Sequence, residues 1–591
     1  MRPSAPLCTA LLLLAGCSTP PPPLPPAPSP AEAAHAALVA EVTALSAKAE
    51  ALLRAQDELV WKSWTEGTPA DLAKTYAGSE AWLTPAAIAA VQRLREATSG
   101  REEQLALTHL HAYLVTEWLA QKTASLSEEA ANLEGTLTFG PAGKERPYRN
   151  LESLLASERS ALLRKTMYEA ATPAVAKLAE VLARRQARTQ ALLIELGVSS
   201  SALLVELREG KLETLVALAN QVLTQTRGDY TTALNRLSSS ELQLPVDRVS
   251  RADIPRLFRL PALEAAFPKT EIFNRAATTL RGLGFDVATM HNLTLDLKET
   301  PGKNPRGLVL GVVIPSDVRV SLLPAGGARD QRETLHQMGH LLCDGFSQQP
   351  VWALAKLGNR TVGEAWSFLL EDLTVDPSWL ENVAGLTGEA QLAWRTSAEA
   401  QRLFLLRRAA GKVLFNAAAL APDADLAALY RDVMARTYGF PMTVADVARA
   451  ELDREEFLAS ADYLQAFLLA AQLEHQLRGR FGPTWWQQPA AGEWMRGLLA
   501  KGNSETADGL GHAAGLEALS AEAFLARMPT TLGGLAVPAS PAPTADAGPA
   551  SPLAVDAGSS PAVPAPDAGA APLPDVSPDA GPAAIPSDLG F

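Results

Sequence analysis

The residues best suited to chemistry are gathered in one stretch, Glu333-Thr-Leu-His336-Gln337-Met-Gly-His340-Leu-Leu-Cys343-Asp. Two histidines four residues apart on a helix differ by about 40° of rotation, so both imidazoles leave one face, a turn apart. That spacing suits a divalent metal such as zinc. In hydrolytic sites of this pattern the residue after the first histidine is a glutamate, the base that takes a proton from zinc-bound water. Here it is Gln337. A neutral amide cannot take and hold that proton, and general acid–base catalysis contributes about 10²–10⁴-fold. The metal-binding half of the motif is therefore intact and the catalytic half replaced. Glu333 lies a full turn before Gln337, near the faces of His336 and His340, and is expected to support the site rather than replace the base.

Such a site needs a third ligand, usually a carboxylate. Glu364 lies 24 residues past His340 and opens the helical run Gly363 to Asp372. Glu371, seven residues further and on roughly the same face, is expected to support the first ligands or to stand in as one. Cys343, on the histidine helix, reads as a small core residue.

These side chains need elements to hold them. Residues 31–532 read as a mainly α body, with amphipathic helices over Ala34 to Leu59, Pro85 to Thr98, Glu102 to Ser127, Leu154 to Leu196, Ala398 to Leu420, Ala424 to Thr437, Ala445 to Leu477 and Gly492 to Leu499. His109 and His111, two apart on one of them, read as ordinary helix residues. Between about 290 and 325 the pattern turns to strands: Asn292 to Leu297 alternates, Pro301-Gly302-Lys303-Asn304-Pro305 is a turn, and Leu308 to Ile314 and Val318 to Leu323 are β-rich. A small antiparallel sheet is therefore expected beside the metal helix, with Val318 to Leu323 as an edge strand able to pair with an extended peptide. The metal-site core spans about 331–380.

At this point the chain resembles the gluzincin metallopeptidases, specifically the angiotensin-converting-enzyme-like peptidyl-dipeptidases and the thimet-type oligopeptidases. The resemblance rests on Leu335-His336-Gln337-Met338-Gly339-His340, Glu364-Ala365 at the family's spacing, Asp376-Pro377-Ser378 and the strands before the site, and more weakly on Asp462-Tyr463-Leu464. It implies a large helical shell with a deep channel that admits short peptides. It also implies Zn2+ held by His336, His340 and Glu364, with Gln337 at the general-base position and Tyr463 as an oxyanion donor. The family's histidine shortly before that tyrosine is missing, since none of the eight histidines lies between His340 and His475.

The ends of the chain carry other signals. Residues 1–16 read as a signal peptide, and Leu14-Ala15-Gly16-Cys17 resembles a bacterial lipobox, which implies acylation of Cys17 and a lipid anchor in the cell envelope, in the outer membrane of a Gram-negative host. Residues 17–30 form a Pro-rich spacer, and 533–591 a Pro/Ala/Asp-rich tail expected to be disordered. A formal net charge of −13 without a concentrated basic patch argues against nucleic acid as a partner. The sequence thus predicts a membrane-anchored protein with a zinc peptidase fold that binds zinc and short peptides, with hydrolysis lost or strongly reduced. Two alternatives stay open: an active zinc oligopeptidase using another base, and a metal-free scaffold.

Overall fold

The computed structural model of the chain describes residues 29–527, apart from 69, 260 and 422. The leader, Cys17, most of the Pro-rich spacer and the Pro/Ala/Asp-rich tail lie outside these residues. The described body is mainly helical, as expected, with 22 α-helices and two small sheets. Among the described residues no single helix is long and apolar enough to cross a membrane.

The first helix, Pro30–Glu66, starts at a capping box in which Ser29 and Glu32 satisfy each other's backbone N–H groups. It ends at Gly67, whose φ of 68° only glycine adopts cheaply. Two long expected helices are broken. The run from Leu154 to Leu196 is three helices, Leu151–Ser157, Ala161–Ala170 and Thr172–Leu196: Ser160 caps the second, and Pro173 sits in the first turn of the third. The run from Ala445 to Leu477 is interrupted by Phe457 and Leu458, with φ of 56° and 52°, before the helix Ser460–Phe481 begins. Periodicity cannot register a left-handed pair.

The described residues include five short strands. β1 (Thr138–Phe139) and β2 (Arg146–Pro147) form an antiparallel ribbon. β3 (Leu293–Asp296), β4 (Leu308–Val313) and β5 (Asp317–Ser321) form the sheet beside the histidine helix, in the order β3-β5-β4. The expected antiparallel pairing holds for β4 with β5, but β3 joins β5 in parallel. The stretch from Val318 is therefore the central strand and not an edge, and the outer positions belong to β3 and β4. The turn before β4 is held by Lys303, buried at 2% exposure, whose ammonium donates to the carbonyls of Asp296 and Lys298 and pairs with the Asp296 carboxylate at 2.8 Å.

Among the described residues apolar side chains collect into one large core, a second core built from the first helices, and three smaller clusters. The large core takes in Val318, Val320, Leu335, Met338, Trp366, Leu403 and Phe467; the second takes in Leu45, Val91, Leu114 and Trp118. The short helix Ser200–Arg208 belongs to both, placing Leu203 in one and Leu204 in the other. His109 and His111 are buried where the first helices meet it, against Glu209 at 3.3 Å and Glu206 at 2.6 Å.

Candidate metal centre

The histidine helix, Ala328–Phe346, begins after Gly327, and its first orphan N–H, at Ala328, donates to the Glu264 carboxylate at 3.0 Å. Its far end is tied to the sheet by Asn292, whose amide donates to the carbonyls of Pro315 at 2.7 Å and Gly345 at 3.1 Å. The glutamate helix, Thr361–Glu371, packs across it at Gly339. A Cβ at Gly339 would lie 2.3 Å from Ser367 Cα and 2.5 Å from the Trp366 carbonyl oxygen, so only glycine permits this approach. The crossing brings Glu364 opposite the two histidines.

His336, His340 and Glu364 form a group whose candidate ligand atoms all lie within 4.8 Å of one another and could hold a metal ion. Glu364 Oε2 is 3.4 Å from His336 Nε2, and Oε1 is 3.8 Å from His340 Nε2. Donors about 2.1 Å from a tetrahedral zinc ion stand about 3.4 Å apart, so little adjustment is needed. Glu364 Oε2 is also a buried oxygen without a well-formed hydrogen bond, its contact with His336 Nε2 being 3.4 Å. A cation between the three groups would satisfy it, and the donor set therefore fits a metal. The side chain of His340 is 27% exposed, against 11% for His336 and 8% for Glu364, so solvent reaches the group from the His340 side.

Behind these groups stands a charged support. His336 Nδ1 lies 3.0 Å from Glu371 Oε2, which fixes the ring and directs Nε2 toward Glu364. Glu371 is in turn held by Arg332, at 2.6 Å and 3.1 Å, and by Arg402 at 3.4 Å. Burial opposes ionisation of Glu371, but Arg332, the contact with His336 and Arg402 outweigh it and hold the carboxyl well below the usual range. Burial likewise disfavours a charged His336, yet the carboxylates of Glu364 and Glu371 raise it to about 10. His340 goes the other way: burial lowers it to about 4, with Glu364 opposing and His336 and Arg360 reinforcing.

Gln337 is 8% exposed, and its amide donates to Glu333 Oε1 at 2.9 Å. Glu333 thus touches the base position directly, closer to it than helix spacing alone suggested. Tyr463 lies on Ser460–Phe481, which packs against the glutamate helix; its ring is 6.5 Å from Phe368, which meets the His336 ring at 5.3 Å. Cys343 is buried and unpaired, and burial pushes its thiol up, as befits a small core residue. Sequence reasoning missed Arg332, Arg402 and Phe368. Arg332 was within reach, since it stands four residues before His336 on the same helix.

No protein-family model matches this chain, and no curated protein matches it.

Proposed function

We propose that the chain is a zinc-binding, gluzincin-like protein that binds short peptides and hydrolyses them slowly or not at all. The observation that carries this reading is the contrast within one helix face: His336, His340 and Glu364 are grouped as ligands and backed by Glu371, while the position between the histidines that should hold the base is an amide. Zinc at this group would polarise a peptide carbonyl and acidify water. The chain's own residues then divide the work. His336, His340 and Glu364 hold the ion, Glu371 orients His336, Gln337 can hydrogen-bond water without taking its proton, and Tyr463 is the candidate donor to an oxyanion. The outer strand β4 offers backbone groups for an extended peptide in place of the strand first expected to do so.

The test is hydrolysis of a mixed library of short peptides by the zinc-loaded chain, by chelated chain and by Gln337→Glu. Silence from the native chain with a gain of about 10²-fold or more in Gln337→Glu supports the reading. Chelator-sensitive turnover by the native chain refutes it.

A second reading is favoured by one contact. The Glu333 carboxylate, 2.9 Å from the Gln337 amide, is a candidate replacement base in an active peptidase. On that reading native turnover is present and Glu333→Gln abolishes it, whereas on the first Glu333→Gln has no turnover to remove. Anchoring through acylated Cys17 in the cell envelope completes the proposal; Cys17→Ala should release the protein from the membrane fraction, and its retention there would refute the anchor.

A further inference from the structure

The outer strand of the sheet has one face covered and one edge that ends abruptly. Leu308, Leu310 and Val312 pack beneath Val60, Trp61 and Trp64 of the first helix. The alternate residues turn toward the histidine helix: a Cβ at Gly307, which leads into β4, would lie 2.7 Å from Gln337 Cγ, and one at Gly311 would lie 2.7 Å from Asp344 Oδ2. Gln337 and Asp344 are about 10 Å apart along the helix, and Gly307 and Gly311 about 13 Å apart along the strand. Helix and strand therefore run side by side in the same direction, with Gln337 beside one end of the β4 edge and Asp344 beside the other.

At Gly311 the edge is closed. Lys356 Nζ donates to the Gly311 carbonyl at 2.8 Å, and the Asp344 carboxylate takes the Gly311 N–H. Backbone groups two residues apart on a strand point the same way, so Gly307 and Val309 direct theirs outward as Gly311 does. An added strand can pair with the first two and must stop at the third. The charges at this stop do not balance. Lys356 also pairs with Asp57 at 2.8 Å, and among the described residues no cationic side chain comes within 4.0 Å of Asp344. Burial pushes the Asp344 carboxyl up to about 6, with Lys356 opposing and Asp57 adding to the rise.

We propose that Asp344, at the end of the β4 edge closed by Lys356 and Gly311, binds the free α-amino group of a short peptide lying antiparallel to β4. Orientation follows from charge. A peptide antiparallel to β4 brings its amino end to Gly311, where the carboxylates of Asp344 and Asp57 outnumber the single ammonium of Lys356; a parallel one brings its carboxylate there and is repelled. The span from Gly311 to Gly307 accommodates about four extended residues before the chain reaches Gln337. The ligand class is thus peptides with an unblocked amino terminus only a few residues from the metal group. This inference rests on the peptide-binding reading above and adds to it which end is read.

The experiment measures binding of C-terminally fluorescein-labelled octapeptide pools to the full zinc-loaded chain by anisotropy, one pool with free amino termini and one N-acetylated. The free pool should bind about tenfold or more tightly, the scale of a charge-assisted hydrogen bond. Asp344→Asn, checked for native melting, should remove that advantage, so that the variant binds its free and acetylated pools equally. Equal binding of the two pools to the native chain overturns the amino-terminal assignment and leaves peptide binding standing. Binding of neither pool overturns the peptide-binding reading and this inference with it.

Discussion

Replacing Gly339 by alanine adds one methyl group where two helices touch through their backbones. The new Cβ would sit 2.3 Å from Ser367 Cα, about 1 Å inside the 3.4 Å at which ordinary contact begins. The atoms it meets are Ser367 Cα, Ser367 N and the Trp366 carbonyl oxygen, none of which can swing aside as a side chain would. The histidine and glutamate helices must therefore separate by about 1 Å. Alanine's better helix propensity returns about 1 kcal/mol, while overpacking of this kind costs about 1–3 kcal/mol, so the net loss of stability should be small, up to about 2 kcal/mol. The functional loss should be larger. Glu364 already stands 3.4 Å and 3.8 Å from the two imidazole nitrogens, and an added ångström takes it beyond the spacing that one ion can bridge at normal bond lengths. Affinity for the proposed zinc ion should fall about tenfold or more, read by competition with a chromogenic chelator, while thermal melting shows a folded protein. A Gly339→Ala variant that binds zinc as the native chain does would refute the claim that this helix crossing sets the metal geometry.

Three further outcomes follow from the same geometry. Glu371→Gln should weaken the proposed zinc binding about 10–100-fold in the same competition, because His336 Nδ1 loses its charged partner. Lys303→Met should cost about 1–2 kcal/mol in chemical denaturation, since it takes the donor from two carbonyls of the turn and the partner from the half-buried Asp296 carboxylate. Glu117 accepts hydrogen bonds from Tyr76 and Gln56, and burial raises its pKa against both. Its contribution to stability is thus full below its ordinary titration range and is lost as pH rises through the folded value. Glu117→Gln should accordingly melt higher relative to the native chain as pH increases, and a difference that does not change with pH would count against it.

How much was legible in the sequence depends on the range over which each feature is encoded. His336, His340 and Glu364 could be read because i, i+4 spacing and a second amphipathic helix are local patterns. The support around Glu371 could be read only in part: Arg332 is local to the histidine helix, whereas Arg402 comes from the long helix Gly388–Ala418, and nothing local announces which of its charges turns inward. Strand positions were legible from alternation, but their order was not. The parallel pairing of Leu293 with Val318 is a tertiary fact, and it moved the edge from one strand to another. Breaks in the helices were missed where the signal was a backbone angle, as at Phe457, or a capping serine inside an otherwise helical pattern, as at Ser160.

The helix Ser200–Arg208 has a consequence for how the molecule comes apart. Neighbouring leucines on it are buried in different cores, and its terminal residue, Arg208, donates to the Phe457 carbonyl and pairs with Asp462 at the start of the helix that carries Tyr463. Neither core can melt without exposing one of those leucines and freeing that arginine. The two are thereby joined into a single cooperative unit, and fluorescence from Trp118 in one and Trp366 in the other should report the same unfolding midpoint.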